Sequence, residues 1–242
     1  MTGKIIRSSS TIISVLPKVI SPPGLYSIDF TTAAIEDPLS AGGVWSNNTM
    51  GVGGNVAPQN MLNMRVSLAS DNKTRIAQHA FNAVVGYDDS FAFVPGISNG
   101  NIRVTAMMYR DPNYRPNDNH EVEIILGCAS TKGGNHRWIE CLWNSLGGVD
   151  IVSLDGQPSD FTSIGASTGM ISNGPRDGDI WVAELNRSTQ TVNWKVNGVV
   201  ACTYSGSFIS NLGSGAGIAA FRRPGDTNSA GMGFRSFKCE AF

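Results

Sequence analysis

The chain has 242 residues, of which 41% are hydrophobic and only 15% are charged, and its formal net charge is −1. A nucleic-acid partner is not expected, because polyanions are bound through an excess of lysine and arginine. No segment approaches the roughly 20 consecutive apolar residues of a membrane-spanning helix, so we expect no membrane association. The length suits one large β-sandwich or two small domains, and no linker-like run divides the chain after its first residues.

Residues 1–24 differ from the rest of the chain. Short pairs of apolar, mostly β-branched residues alternate with Ser, Lys, Arg and Pro, and three prolines (Pro17, Pro22 and Pro23) exclude a continuous helix. The segment has no unbroken apolar core followed by a cleavage site, so it does not read as a secretory signal. We interpret residues 1–24 as an extended arm that docks on another protein. The alternative is that the arm crosses its own domain as an edge strand.

From residue 25 onward, short segments with apolar residues at every second position are separated by turn residues, a pattern typical of β-strands. Residues 46–63 are polar and glycine-rich and predict a long loop, and Asp111–Asn119, with its two prolines, predicts another. No segment has a convincing helical period, which favours an all-β sandwich or barrel. The predicted strands are Leu25–Phe30, Met64–Leu68, Thr74–Phe81, Ser90–Val94, Ile102–Met108, Glu121–Leu126, Arg137–Trp143, Val149–Leu154, Ile180–Leu185, Val192–Val196, Val199–Tyr204, Gly217–Phe221 and Phe234–Phe242.

The clearest pattern is a three-stranded meander near residues 177–204. Its first strand, Ile180–Leu185, is apolar enough to predict burial on both faces. Its second strand alternates strictly, with Val192, Trp194 and Val196 on one side. Asn197 and Gly198 then supply the two residues that tolerate positive φ in a type I′ turn. Such a meander needs further strands and a second sheet to bury its apolar face.

The four cysteines do not form a metal-binding pattern. None belongs to a CxxC pair, and no two histidines have the spacing of metal ligands. Three of the four lie within apolar strand patterns, so we expect buried free thiols that act as small apolar side chains.

The order of several segments resembles a concanavalin A-like lectin/glucanase jelly roll over residues 25–242. The segments are HEVEIIL (120–126), RWIECLW (137–143), DFT (160–162), DGDIWVAEL (177–185), VNWKVNG (192–198), GAGIAAF (215–221) and the closing GFRSFKCEAF. The resemblance implies an all-β fold of two antiparallel sheets, a two-sheet jelly-roll sandwich, with the N-terminal arm outside it. It also implies a concave face that binds saccharides in lectins and cleaves them in laminarinase-type hydrolases, and fold alone does not decide between the two.

Laminarinase-type enzymes carry three acidic residues on one strand, and this chain matches only the first two positions, with Glu121 and Glu123. The third acid, the proton donor, would stand at residue 125 or 127, where the sequence has Ile125 and Gly127. Loss of a general acid costs about 10²–10⁴-fold in rate. Glu140 on the next strand could replace it. No polysaccharide-lyase signature is present.

We predict a ligand-binding set for saccharide hydroxyls consisting of Glu121, Glu123, Trp138 and Glu140, in which the carboxylates accept hydrogen bonds and the indole stacks. The alternative is that Glu121 and Glu123 form a solvated polar face of a half-buried strand. No cofactor is expected. A calcium ion at Asp177 and Asp179 is the one alternative considered, and two carboxylates are too few to support it.

The predicted function is a non-enzymatic, lectin-like surface or structural module. A short arm followed by a lectin-like sandwich resembles virion components of tailed phages, either capsid decoration proteins or tail and baseplate appendages. The resemblance implies synthesis in the host cytoplasm and attachment to other virion or assembly proteins through residues 1–24. It further implies an oligomeric state in that assembly and a cell-surface glycan as a second partner. The alternative function is a glycoside hydrolase or polysaccharide lyase, and a third is a sandwich that binds nothing.

Overall fold

The computed structural model of the protein describes the chain from residue 24 to residue 242 with gaps. The predicted arm, residues 1–24, lies outside the described residues except for Gly24. The described residues are 24–36, 39, 46–47, 61–79, 88–114, 120–129, 136–145, 148–156, 161–169, 171, 174–222 and 231–242.

Sixteen strands and one short 3₁₀ helix make up the described secondary structure, and the 3₁₀ helix spans Ser207–Asn211. The strands are β1 (Leu25–Asp29), β2 (Ser46–Asn47), β3 (Met61–Leu68), β4 (Arg75–His79), β5 (Asp88–Val94), β6 (Ile102–Arg110), β7 (His120–Cys128), β8 (His136–Asn144), β9 (Gly148–Gly156), β10 (Phe161–Ser163), β11 (Ala166–Ser167), β12 (Ile180–Asn186), β13 (Thr191–Val196), β14 (Val199–Ser205), β15 (Gly215–Arg222) and β16 (Met232–Ala241).

The strands form two sheets that pack as a sandwich. The front sheet has the order β10-β9-β8-β7-β15-β5, and the back sheet has the order β4-β16-β6-β12-β13-β14-β11. Strand β1 pairs with β16 in the back sheet, and β2 pairs with β5 in the front sheet. Strand β3 joins the two sheets, because it pairs with β4 in the antiparallel sense and with β5 in the parallel sense. The predicted all-β, two-sheet jelly-roll sandwich is therefore confirmed.

The main core lies between the two sheets and is built from alternate residues of their strands. In the back sheet the fully buried rings of Trp181 and Trp194 meet edge to face, with their centroids 4.8 Å apart. Side chains of the front sheet, including Ile124 and Cys141, complete the same core. Edge-to-face aromatic pairs of this kind add about 0.5–1.5 kcal/mol beyond the burial of their area.

The central meander is confirmed in its turn and in the alternation of its second strand. Asn197 and Gly198 have φ of 50° and 82°, as a type I′ turn requires, and Val192, Trp194 and Val196 are buried. The prediction that the first strand is buried on both faces was wrong. Strand β12 alternates between buried and half-buried residues, because its outward side carries Glu184, which pairs with cations of β6 and β13.

Most other strand predictions hold with longer bounds, whereas β1 ends one residue earlier than predicted, β4 begins one residue later, and the short elements were missed. Within the predicted loop 46–63, residues 46–47 form β2 and residues 61–63 begin β3, and the remainder lies outside the described residues. Strands β10 and β11 and the 3₁₀ helix were not predicted as elements, because two to five residues are too few to establish a hydrophobic period. The described residues contain no helix that is long and apolar enough to cross a membrane.

Candidate functional site

The predicted site residues lie on the outer face of the front sheet, the face turned away from the main core. On β7, Val122 and Ile124 belong to the main core, so the alternate residues Glu121 and Glu123 point outward. Register extends this face to the neighbouring strand, where Glu140 lies opposite Ile125. The four predicted residues Glu121, Glu123, Trp138 and Glu140 therefore share one face of two adjacent strands.

The cross-strand register places Glu140 beside the position where the third acid of the enzyme pattern is missing. Ile125 occupies that position on β7, and its Cα partner on β8 is Glu140. Directly paired residues of an antiparallel sheet have their Cβ atoms about 5 Å apart. The side chain of Glu140 therefore extends from β8, whereas the enzyme pattern would place the third acid on β7 itself.

Glu140 is buried in surroundings that favour its protonated form. The residue is 3% exposed, and its Oε1 accepts a hydrogen bond of 2.6 Å from Nε1–H of Trp138. Burial raises the pKa of Glu140 to about 7, the hydrogen bond from Trp138 opposes this rise, and the negative charge of Glu121 adds to it. With this pKa, Glu140 changes between its protonated and ionised forms near neutral pH.

The alternative interpretation, a solvated polar face formed by Glu121 and Glu123, is wrong for Glu123. This residue is 3% exposed, although it lies on the outward side of the sheet. Glu121, by contrast, is half-buried. The two carboxylates of β7 thus differ in their access to solvent, and Glu121 is the more accessible of the pair.

An apolar cluster lies on the same face, next to the carboxylates. The ring of Trp138 meets that of Phe91 edge to face at a centroid distance of 5.5 Å, and Trp138 is fully buried. Because the buried ring presents no exposed face, its burial does not support the stacking of Trp138 on a sugar, which stays a prediction. Members of the outer-face cluster are Phe91, Phe93, Ile125, Cys128, Trp138, Leu154 and Ala219.

Sequence reasoning missed the part that Phe91, Phe93 and Asn144 play on this face. The two phenylalanines are buried in the outer-face cluster rather than between the sheets. Asn144 lies opposite Glu121 and donates a hydrogen bond from Nδ2 to Oε1 of Glu121. Alternation within β5 could have paired Phe91 with Phe93, but only the register of β7 on β8 brings Asn144 to Glu121.

Arg137 and Asp177, the first residue of the calcium alternative, form ion pairs within the protein. Arg137 lies on the alternate face of β8, where it pairs with Asp155 at 2.6 Å and stacks on Phe208. Asp177 pairs with the guanidinium group of Arg235 through both carboxylate oxygens.

Asp179, the second residue of the calcium alternative, also has protein partners. One oxygen accepts a hydrogen bond from the backbone N–H of Arg176, and the other accepts one from the side chain of Asn197. In the described part of the chain, no group of three or more histidine, cysteine, aspartate or glutamate side chains could hold a metal ion.

The four cysteines are free and buried, as predicted. Burial raises the pKa of Cys202 to about 11 and that of Cys239 to about 12. Because the thiolate is the reactive form of cysteine, these thiols are unreactive at neutral pH.

Comparison with solved structures identifies the fold. The CBM2 module of the evolved Dit of Lactobacillus casei BL23 phage J-1 is similar over 89% of this chain and 94% of its own, at 14% identity and a TM-score of 0.51. An endo-1,3-β-glucanase from Streptomyces sioyaensis is similar over 92% and 99%, at 14% identity and a TM-score of 0.52. The carbohydrate recognition domain of Emp46p is similar over 90% and 97%, at 11% identity and a TM-score of 0.52.

No protein-family model matches the sequence, and no curated protein matches it. The structural similarity shows that the chain has the concanavalin A-like jelly-roll fold. Because all three identities are low, the similarity shows the fold alone. Binding and catalysis are argued from the chemistry of the outer face.

Proposed function

We propose that this chain is a carbohydrate-binding jelly-roll module of a phage virion that holds a glycan on the outer face of its front sheet. The observation that carries the proposal is the half-buried, hydrogen-bonded pair of Glu121 and Asn144, which lies on the same face as the buried Glu123, Trp138 and Glu140. Carboxylates accept paired hydrogen bonds from sugar hydroxyls, and an apolar floor suits the C–H faces of a sugar ring. Glu121 and Asn144 are half-buried, so a saccharide can reach these two residues more easily than the buried members of the face.

A glycan array followed by calorimetry on the selected saccharide tests this proposal. Glu121→Gln and Asn144→Ala should each weaken binding at least about tenfold, the loss expected for one hydrogen bond to a charged or buried partner. The matched control is Glu240→Gln, which removes a carboxylate from the back sheet and should leave binding unchanged. If both front-sheet variants bind the saccharide with unaltered affinity, the saccharide does not bind at Glu121 and Asn144.

The virion part of the proposal concerns residues 1–24. The fold is shared with a module of a phage Dit protein, and the arm of short apolar pairs suits docking on another virion or assembly protein in a capsid, tail or baseplate. Deleting residues 1–22 should leave a folded domain that no longer attaches to its particle. Equal attachment of the truncated and the intact chain in a particle-sedimentation assay would refute the docking role.

Glycoside hydrolysis is a second candidate function, and one observation favours it. Two carboxyl groups with separated pKa values are the usual means of hydrolysing a glycosidic bond, and Glu140 has a pKa raised to about 7 beside Glu121. In this alternative Glu140 protonates the leaving oxygen and Glu121 attacks the anomeric carbon. The absent acid at Ile125 is our reason for preferring binding without cleavage.

Incubation with laminarin, alginate and capsular polysaccharides separates the two candidates. New reducing ends or unsaturated products that disappear in Glu121→Gln would establish the enzyme and overturn the non-enzymatic proposal. Binding of the same saccharide without release of products supports the module.

A further inference from the structure

We propose that residues 10–16 of one copy of this chain add as a strand to residues 161–168 of a second copy, which we call the acceptor edge. This inference rests on the docking role that the proposed function gives to residues 1–24, and it names the partner of that arm. It follows from an exposed and uncharged edge of the sandwich and from the composition and reach of the arm.

The acceptor edge has described neighbours on its inner side. Its first part is β10, which pairs with β9 in the front sheet, and its last part contains β11, which pairs with β14 in the back sheet. Between these two strands, Ile164 packs against the main core, and the backbone N–H groups of Ile164 and Gly165 donate to the carbonyl oxygen of Ile151. No described strand pairs with the outer side of β10 or of β11.

The backbone of the acceptor edge directs hydrogen-bonding groups away from the sandwich. Successive residues of an antiparallel strand direct their N–H and C=O groups to opposite sides. Because Ile164 donates to Ile151 on the inner side, Phe161 and Ser163 direct these groups outward. The same alternation turns the N–H of Ser167 outward in β11. The edge therefore offers donors and acceptors that no described residue engages.

The side chains of the acceptor edge are exposed except at its centre, and none is charged. Phe161 is 52% exposed, and the other residues of β10 and β11 are also exposed. A second exposed apolar residue, Val199, lies beside the edge, because Oγ1 of Thr168 donates to the carbonyl oxygen of Val200. Edge strands are commonly protected from further pairing by lysine, proline or an inward-pointing charge. Residues 161–168 contain none of these.

Residues 10–16 have the composition of a strand that adds to such an edge. Their sequence is STIISVL, which has four β-branched residues and no charge, proline or glycine. An added strand binds through its backbone, so it does not require a particular side chain on its partner. The charged side chains of residues 1–24 are Lys4, Arg7 and Lys18. Because all three are positive, arms repel one another, which favours arm-to-edge pairing over arm-to-arm pairing.

The reach of the arm favours a second copy over its own domain. The arm joins the domain at Gly24, beside β1, whereas β11 lies at the opposite edge of the back sheet. Six inter-strand spacings of about 4.8 Å, hence about 29 Å, separate the two edges. The residues that join Leu16 to Gly24 span at most about 26–29 Å when fully extended, and they would also have to pass around a face of the sandwich. A second copy is free of this restriction, and the resulting head-to-tail contact can repeat.

Disulfide trapping between full chains tests the pairing. Because the four native cysteines are buried and free, the reactive thiols are those introduced by Ser14→Cys in one chain and Ser163→Cys in another. Mixed in the presence of oxidised glutathione, the two chains should form an interchain disulfide that mass spectrometry identifies. The matched control replaces Ser163→Cys with Ser27→Cys, which alters an exposed serine of the opposite edge strand. This control should lose the interchain product.

Sedimentation velocity of the full chain gives a second measurement without introduced thiols. Self-association should increase with concentration in wild type and in Ser163→Ala, which keeps the outward N–H. Ser163→Pro should abolish it, because proline removes that donor without removing a hydrogen bond to β9. Ile13→Pro should abolish it as well, and this variant leaves every described residue unchanged. The two proline variants interrupt the contact from its two sides.

The outcomes separate this inference from the docking role on which it rests. A monomer at every concentration, or equal trapping of Ser163→Cys and Ser27→Cys, refutes pairing with a second copy. An internal disulfide in a chain that carries both Ser14→Cys and Ser163→Cys, without an interchain product, also refutes it, because the arm would then lie on its own edge. These results leave the docking role intact if deletion of residues 1–22 still prevents attachment to the particle. Equal attachment of the truncated and the intact chain refutes the docking role itself.

Discussion

The burial of Glu140 predicts that Glu140→Gln stabilises the protein at high pH and has little effect at low pH. The pKa of Glu140 rises from 4.5 to about 7 on folding. The folded state therefore binds more protons than the unfolded state between these two values, and stability falls as pH rises through this window. A shift of this size corresponds to about 3 kcal/mol at full ionisation. The amide introduced by the substitution would keep an oxygen for the Trp138 indole and has no charge to bury.

Urea denaturation of both chains at about pH 4 and pH 8 measures the effect. We expect similar free energies of unfolding at the lower pH and an advantage of about 2–3 kcal/mol for Glu140→Gln at the higher pH. Glu240→Gln is the control with the opposite sign, because the hydrogen bond from Lys238 holds the pKa of Glu240 below its usual value. If the free energies of unfolding of wild type and Glu140→Gln differ by the same amount at both pH values, the raised pKa of Glu140 is refuted.

Three further predictions concern the back sheet and use the same denaturation assay. Trp194→Ala should cost about 3–5 kcal/mol, because it opens a cavity beside the fully buried ring of Trp181, and a loss below about 1 kcal/mol would mean that the core can collapse around it. Asn197→Ala should cost about 1–3 kcal/mol, because it removes hydrogen bonds to Asp179 and to the β12 backbone at a positive φ; an unchanged midpoint would contradict this. Glu184→Gln should cost less than about 1 kcal/mol although it ends two ion pairs, since both partners are partly exposed, and a larger loss would show a tightly coupled network.

The local pattern of the sequence was sufficient to predict the strands and their turns. Alternation correctly predicted that Val192, Trp194 and Val196 point inward. The tolerance of Asn197 and Gly198 for positive φ correctly predicted the turn that follows. Both features depend on residues that are close in sequence. The burial of β12 was misjudged because a strand of apolar residues and a strand with one ion-paired glutamate differ little in composition.

The register between strands determines which residues share the outer face. This register cannot be derived from the sequence pattern alone. Phe91 and Phe93 share a face by alternation, but alternation does not say whether that face meets the main core or the outside. The pairing of Ile125 with Glu140 arises when β7 and β8 align across the connection between them. The proximity of the carboxyl groups is therefore a consequence of tertiary structure, and only the choice of candidate acids was available from the sequence.

The same register bears on the choice between binding and cleavage. A proton donor on the nucleophile's own strand is aligned with it along the strand, whereas Glu140 begins about 5 Å to the side. Its Oε1 is also engaged by the Trp138 indole in a buried position. A donor must reach the glycosidic oxygen at hydrogen-bonding distance in the bound substrate, so Glu140 would have to leave this indole and cross that offset. A carboxyl group that only accepts or donates a hydrogen bond to a saccharide has no such requirement, and this difference is the physical reason for placing carbohydrate binding ahead of hydrolysis.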